Sequence, residues 1–413
     1  MKFNKFVIDT PWQQFESLEL NFHERLTVLT GANGSGKSTI LNILAKHSGW
    51  DYNPLSVPWK DKATRAWGWM ISLFKDKMDS NNLAIGYIEY SDGSTASVKV
   101  PRENSAQYQI QIQDQKPLDC FFIPSHRSVF RYQAIQNIPT QGTIDKMQAF
   151  QKIFNANRER FFGGSGPSSS FHMKEILVSW SLFGRGNEDM EADERLLEYY
   201  KGFEDILKII LPKELGFRRF FIRNFEVVLQ CTSGDFVIDA ASGGISTLID
   251  MAWQIYMRST FDKTQEITVL IDEVENHLHP TMQRRILSDF VKAFPNVRFI
   301  VSTHSPLIVA SVKDSSVYVL RNNENKKIIS QKLDFVNEAK TATEILDEVL
   351  GVSFTMPVWA EEKLNEIVNK YAKQEASDDM VKKMRADLSE VGLEKLMPEA
   401  VTNLLKEHDE KNK

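Results

Sequence analysis

The sequence predicts an α/β fold: a mixed sheet with a parallel core and an antiparallel β-subdomain, a helical insertion within it, and a helical C-terminal tail. Three observations carry that expectation. Arg25 to His47, RLTVLTGANGSGKSTILNILAKH, reads as strand, glycine loop and helix. Ile267 to Ile271 and Val297 to Ser302 read as strands buried on both faces, the pattern of a parallel sheet. Leu83 to Tyr90 and Thr95 to Val100 alternate in polarity around Ser91-Asp92-Gly93-Ser94, a hairpin signature.

Taken in order, Phe3 to Ile8 and Phe15 to Phe22 are the first two strands, and Arg25 to Leu29 is the third. The third runs into Gly31-Ala32-Asn33-Gly34-Ser35-Gly36-Lys37-Ser38, a complete G-x-x-x-x-G-K-S phosphate loop, with Thr39 behind it. Its glycines let the backbone turn N–H groups inward at phosphate oxygens. Ile40, Leu41, Ile43 and Leu44 give the next helix an apolar face, and its start adds a positive dipole end. Lys37 is placed for the β- and γ-phosphates and the Ser38 hydroxyl for Mg²⁺. Trp12 and Phe15 are either a stacking surface for a base or core residues.

An irregular stretch from His47 to Pro58 precedes an aromatic helix around Ala63 to Phe74. After the hairpin, Tyr108 to Gln113 extends the sheet, and Leu118 to Ile123 is an apolar strand ending in Pro124-Ser125-His126-Arg127. Helices are expected over Thr143 to Phe161, His172 to Leu182 and Glu194 to Leu211, with a flexible linker at Gly163 to Ser170. Phe217 to Ile222 and Glu226 to Gln230 are strands, Ser242-Gly243-Gly244 opens an apolar helix, Pro280 to Phe294 is amphipathic, and Ser316 to Leu320 is a further strand. From Thr341 the chain turns helical and charged, with Leu364, Ile367, Val368, Tyr371, Met384 and Leu388 in periodic positions. That tail is a solvated cap or a docking module. The expected division is 1–130 and 216–340 as two lobes of one head, 131–215 as a helical insertion, and 341–413 as the tail.

Composition excludes several classes. The chain has 413 residues, 42% of them hydrophobic, and a formal net charge of −5, so it is not a uniformly basic nucleic-acid binder. Its two cysteines, Cys120 and Cys231, have no C-x-x-C partner, which suits a reducing compartment and gives no metal site. No apolar run reaches the ~18 residues of a membrane span, and the N-terminus carries no signal-peptide pattern. The expectation is a cytoplasmic protein with no membrane partner.

Two acids, Asp272 and Glu273, end the strand Ile267–Ile271, where one carboxylate can hold the water shell of Mg²⁺ and the other can act as general base. Ser242-Gly243-Gly244 lies 30 residues before Asp272, and His304 lies 31 residues after Glu273, again just past a buried strand. Phosphate loop, S-G-G helix, D-E strand and histidine, in that order, resemble the ABC-type ATPases. The soluble branch that includes the structural-maintenance, Rad50-like, RecF-like and OLD-type ATPases is the nearer likeness. Ile271-Asp272-Glu273-Val274-Glu275-Asn276-His277-Leu278-His279-Pro280 is similar to the DEPE-x-HLHP stretch of the OLD-like members, and Val301-Ser302-Thr303-His304-Ser305-Pro306 to their switch-histidine strand. The likeness covers residues 1–50 and 225–320.

That resemblance implies an ABC-type ATPase head binding ATP and Mg²⁺. Gly31 to Thr39 would hold phosphates and metal, Asp272 the metal, Glu273 would be the base and His304 the switch histidine. Ser242, Gly243 and Gly244 would contact ATP held by a second head in a head-to-tail dimer, and Asn276 and His277 would face that subunit. The chain departs from the family's L-S-G-G-Q signature: Ile245 stands where glutamine is usual. Gln133 and Gln136 are candidates for the Q-loop glutamine, and Arg127 or Arg131 could face the nucleotide instead. The 109 residues after His304 show no nuclease-like acidic cluster, and residues 130–215 are too short for coiled-coil arms. The chain therefore resembles ATPase subunits of two-component anti-phage systems of the PARIS and Septu type, in which a separate effector acts. Two alternatives stand beside this: a RecF-like ATPase that binds DNA, with Arg158, Arg160, Arg218, Arg219 and Arg223 as basic material, and a transport nucleotide domain.

Overall fold

Leu26–Gly31 (β3), Cys120–Ile123 (β9), Ile267–Ile271 (β13) and Val297–Ser302 (β14) are buried at every residue, so neither face of these strands is left to solvent. They pair in parallel, with β14 between β3 and β13 and with β9 on the far side of β13. Ser316–Asn322 (β15) adds a fifth parallel strand beyond β3. From there the sheet turns mixed. Ile328–Leu333 (β16) runs antiparallel to β15, and Phe15–Asn21 (β2), Phe3–Ile8 (β1), Asn82–Tyr90 (β6), Thr95–Pro101 (β7) and Gln111–Gln113 (β8) complete eleven strands. β1, β2, β6, β7 and β8 pair antiparallel, and burial alternates through β7 and along the second halves of β1 (Phe6, Ile8) and β2 (Leu18, Leu20), as one wetted face requires.

This is a computed structural model, and it describes residues 1–55, 57–60, 67–70, 82–101, 106–127, 130–140, 145–161, 163, 168–259, 265–311, 314–333, 358–371, 378–398 and 400–401. The chain divides into two compact units, Met1–Ile345 and Leu346–Lys413. Among the described residues no helix is long and apolar enough to cross a membrane.

In the first unit Lys37–Ala45 (α1) follows β3 and buries Ile40, Leu41, Ile43 and Leu44 as the periodicity requires. The insertion helices are Lys146–Phe161 (α2), Ser169–Arg185 (α3) and Glu194–Ile210 (α4). Gly243–Arg258 (α5) has every residue from Ile245 to Met257 buried. Trp253 of α5 meets Phe203 of α4 edge-on at 4.8 Å, and Trp180 of α3 lies 5.5 Å from the same indole. Phe217–Arg223 (β10), Glu226–Cys231 (β11) and Phe236–Val237 (β12) form a separate small sheet. Phe220 joins it to Tyr200 and Phe203 of α4.

Several expectations change. Trp67–Met70 (β5) is a strand paired with Val57–Lys60 (β4), not part of an aromatic helix. Gly68 between two tryptophans is a poor helix residue, whereas aromatics suit a strand. The remainder of that predicted helix lies outside the described residues. The expected linker ends early, because Ser168 caps α3 by accepting from the Phe171 N–H, and Ser169 and Ser170 are buried in the helix. The amphipathic stretch after His279 breaks at Arg284-Arg285 into Pro280–Gln283 (α6) and Ile286–Ala293 (α7). A four-residue helix, Pro306–Val309 (α8), follows β14. β16 is a strand the sequence reading passed over.

The second unit holds Val358–Tyr371 (α9) and Asp378–Glu390 (α10). Leu364, Val368, Tyr371, Met384 and Leu388 share one small core, so the periodic apolar positions of the tail face each other. Lys370 and Tyr371 both donate to Asp387, at 2.7 and 2.8 Å.

Candidate nucleotide site

Parallel pairing brings the carboxyl ends of β3, β14, β13 and β9 to one edge of the sheet, where such folds bind ligands. Each strand delivers one of the predicted groups: the loop Gly31–Ser38, then His304, then Asp272 and Glu273, and finally Arg127. Leu29 pairs with Ser302, and Ile271 with both Val301 and Ile123, so these groups begin at matching heights.

The loop is a cradle that side chains would fill. At Gly36 φ is +87° and a Cβ would lie 2.2 Å from Phe15 Cζ. At Gly31 φ is +141° and a Cβ would lie 2.3 Å from the Leu320 carbonyl oxygen. Trp12 and Phe15 are fully buried and stack on one another at 5.8 Å, so they are core under the loop and not a surface for a base. Ala32, Asn33 and Gly34 form the exposed tip, and Ser35 is buried. Lys37 Nζ donates to the Gly31 and Ala32 carbonyls, both at 2.9 Å, and to Ser35 Oγ at 3.3 Å. Burial depresses the Lys37 ammonium to about 8, against the pull of Asp272, Glu275 and Glu273.

Asp272 is buried and shares Oδ1 between two hydroxyls, with Ser38 Oγ donating at 3.0 Å and Ser302 Oγ at 2.5 Å. Burial pushes its carboxyl above the usual range, and the two serines pull it back. Ser302 Oγ also accepts from the Glu273 N–H at 2.8 Å. One buried hydroxyl thus fixes both acids. Glu273 holds φ at +45°, left-handed backbone that is strained for a side-chain-bearing residue. Asn276 Nδ2 donates to Glu273 Oε2 at 2.7 Å and to the Ser125 carbonyl at 3.2 Å. Arg127 Nη2 donates to the carbonyls of Asp272 and Glu273 at 2.8 and 3.0 Å.

His304 Nε2 lies 3.9 Å from Glu273 Oε1, and its backbone N–H donates to Glu275 Oε1. Burial, and then the Lys37 charge, hold the imidazole below its ordinary range, so it is neutral near pH 7. Ser242 and Gly243 are exposed at the start of α5, and Ser242 makes no side-chain cap. Among the described residues no hydrogen bond ties Ser242, Gly243 or Gly244 to Gly31–Ser38. Ile245 is buried and belongs to the core. A Cβ on Gly244 would lie 3.2 Å from the His277 carbonyl, so the turn after Glu273 and the S-G-G turn are neighbours.

Thr39 is half-buried on α1, beside Ser38. Of the Q-loop candidates, Gln133, Gln136 and Arg131 are exposed, and Arg127 is the side chain that reaches the acids. Asn276 orients its own chain's Glu273, and His277 is exposed with φ +66°. Ser302 was legible only as part of V-S-T-H-S-P. Nothing in its spacing announces a shared hydroxyl. The residues fit a magnesium nucleotide: a loop with no room for a Cβ at Gly31 or Gly36, a hydroxyl paired with a carboxylate, and buried polar atoms left over. Among the described residues Glu275 Oε2 and Arg127 Nε and Nη1 are buried without a hydrogen-bond partner, and Arg127 borders a cavity of about 400 Å³ shared with Asn157, Asp250 and Gln254.

Comparison with known families decides the class. Two AAA-domain profiles match, one over residues 12–214 and the other, whose description names the AbiEii toxin and a type IV TA system, over residues 188–310. The chain is a P-loop ATPase similar to the AAA-domain families. Two relatives of the ATPase are called Septu protein PtuA. One, from Bacillus mycoides, is 34% identical over 32% of this chain and 19% of its own length. The other, from Bacillus thuringiensis, is 22% identical over 82% of each chain. The Retron Ec83 probable ATPase of Escherichia coli is 29% identical over 32% of this chain and 27% of its own length. Thus the matched stretch spans about a fifth to a quarter of two of these relatives and four fifths of the third. A solved SMC head bound to the C-terminal winged-helix domain of ScpA aligns over 81% of this chain and 98% of its own, at 15% identity and a TM-score of 0.45.

Proposed function

We propose that the ATPase binds ATP with Mg²⁺ at Gly31–Ser38 and hydrolyses it where two copies meet head to tail. The assembled state controls a separate effector protein in bacterial anti-phage defence, in the cytoplasm. The observation that supports this most is the hydrogen-bond set on Asp272, which joins the loop hydroxyl of Ser38 to the strand acids through Ser302.

In this reading Lys37 exchanges its loop carbonyls for phosphate oxygens. Ser38 and Asp272 are the residues that would hold Mg²⁺, which when bound neutralises charge on the phosphates. Glu273, oriented by Asn276, takes the proton of the attacking water. Neutral His304 donates towards the γ-phosphate. Ser242, Gly243 and Gly244 offer the open N-terminus of α5, with its unpaired N–H groups, to ATP on the second copy. The exposure of that turn supports a partner arriving from outside the chain. Relatives named as Septu and retron proteins support the defence role.

Glu273→Gln tests the reading. ATP binding should be kept, turnover should fall by about 10²- to 10⁴-fold as for loss of a general base, and ATP should shift the variant to a dimer by light scattering. Turnover near wild type would sink the assignment.

A further inference from the structure

Lys174 of α3 is a buried cation with no part in the chemistry above. Its side chain is 0% exposed, and that of Asp239 is 2% exposed. The ammonium donates to the Gln133 carbonyl at 2.6 Å, to Asp239 Oδ2, and to Glu226 Oε2 at 3.4 Å. A lysine has three N–H donors, and here each meets an acceptor from a different segment. Gln133 lies six residues after Arg127. Glu226 opens β11. Asp239 sits in the 3-10 turn Ile238–Ala240, three residues before Ser242. Farther along α3, Ser179 donates to the Pro139 carbonyl at 2.9 Å, so the helix grips the segment after Arg127 twice.

Apart from the buried Ile238, the S-G-G turn has little on its approach side besides Asp239. Ser242 and Gly243 are exposed and Ser242 makes no side-chain cap, while Ile245 anchors only the helix side. The polar anchor of the approach side is Asp239, and Asp239 is held by Lys174. We propose that Lys174 is a positioning residue for the signature turn: through Asp239 it presents Ser242-Gly243-Gly244 to ATP held by a second copy of the chain. This rests on the head-to-tail reading.

The test replaces both buried charges, Lys174→Met with Asp239→Leu, since removing one alone would leave the other uncompensated. Binding of a fluorescent ATP analogue and the thermal midpoint should stay near wild type. Turnover should fall about 10²-fold, the scale of a reacting group displaced by about 1 Å. Mixing the double variant with an equal amount of Glu273→Gln should restore about a quarter of wild-type turnover, because half the dimers are mixed and each has one whole site. Wild-type turnover in the double variant would make Lys174 merely structural. An absence of recovery on mixing would mean that it acts on its own subunit's site, and either result overturns the proposal. Failure of the head-to-tail reading looks different: wild-type turnover per chain would be independent of protein concentration.

Discussion

Ser302→Ala removes a single oxygen whose loss reaches both acids. The Glu273 N–H loses its acceptor, and an unmet buried N–H costs about 1–3 kcal/mol. Asp272 loses its shorter hydrogen bond, and a bond to a charged group is worth about 1.5–3 kcal/mol. Because the two share one atom they will not add fully, and a destabilisation of roughly 2–5 kcal/mol is expected. At about 2 °C per kcal/mol for a unit of this size, the midpoint of thermal unfolding should drop by roughly 4–10 °C. Turnover should fall about 10²-fold through misplacement of the acids, while ATP affinity changes little because the loop itself is untouched. The pH profile adds an independent sign. Burial already raises the Asp272 carboxyl and Ser302 lowers it, so removing Ser302 raises it further and moves the acid limb of turnover to higher pH. A variant with wild-type turnover, midpoint and acid limb would refute the idea that one hydroxyl holds the pair.

Three further outcomes follow from the same site. Lys37 is depressed to about 8 by burial, so between that pH and its ordinary 10.5 the folded chain has released a proton that the unfolded chain keeps. Stability of the nucleotide-free ATPase should therefore rise with pH across that window, and Lys37→Met should reduce the slope in denaturant titrations, leaving the share of Lys146, which burial depresses to about 7. ATP needs the charged form, so its dissociation constant should be flat below pH 8 and weaken by up to about tenfold by pH 9. Gly36→Ala should cost roughly 2–5 kcal/mol in denaturant titrations, from left-handed strain and overpacking against Phe15, and should abolish ATP binding. Asn276→Ala should lower kcat about tenfold with KM unchanged, since it frees the Glu273 carboxylate without touching the loop.

The central strands and the nucleotide loop were readable because their constraints are local. A strand buried on both faces must be apolar, and a loop that wraps phosphate must carry glycine where φ is positive. The hairpin β6–β7 was readable for the same reason. What escaped was set by tertiary contact. Whether Trp67–Met70 is helix or strand depends on β4, which pairs with it. The break at Arg284-Arg285 interrupts a periodicity that runs on regardless. Ser302 looks like any polar residue at a strand end, and only the register of β13 and β14 turns it towards Asp272 and Glu273, while Arg127 was one of four candidates that the sequence left open. Asn276 was expected to look outward, yet the tight turn begun by Glu273 folds it back onto its own chain.

Ile245 has a consequence for partner choice. Where a family signature offers a polar side chain at that position, the contact can be read chemically and mutated into a preference. Here the position is committed to the core, and what faces outward is main chain and one serine. Main-chain N–H groups do not distinguish one nucleotide-loaded head from another of the same fold. In the proposed head-to-tail dimer, a cell that holds several such ATPases could then form mixed dimers through this contact alone. Under that proposal faithful pairing falls to surfaces outside the signature, and those surfaces, unlike the turn itself, are free to diverge between paralogues.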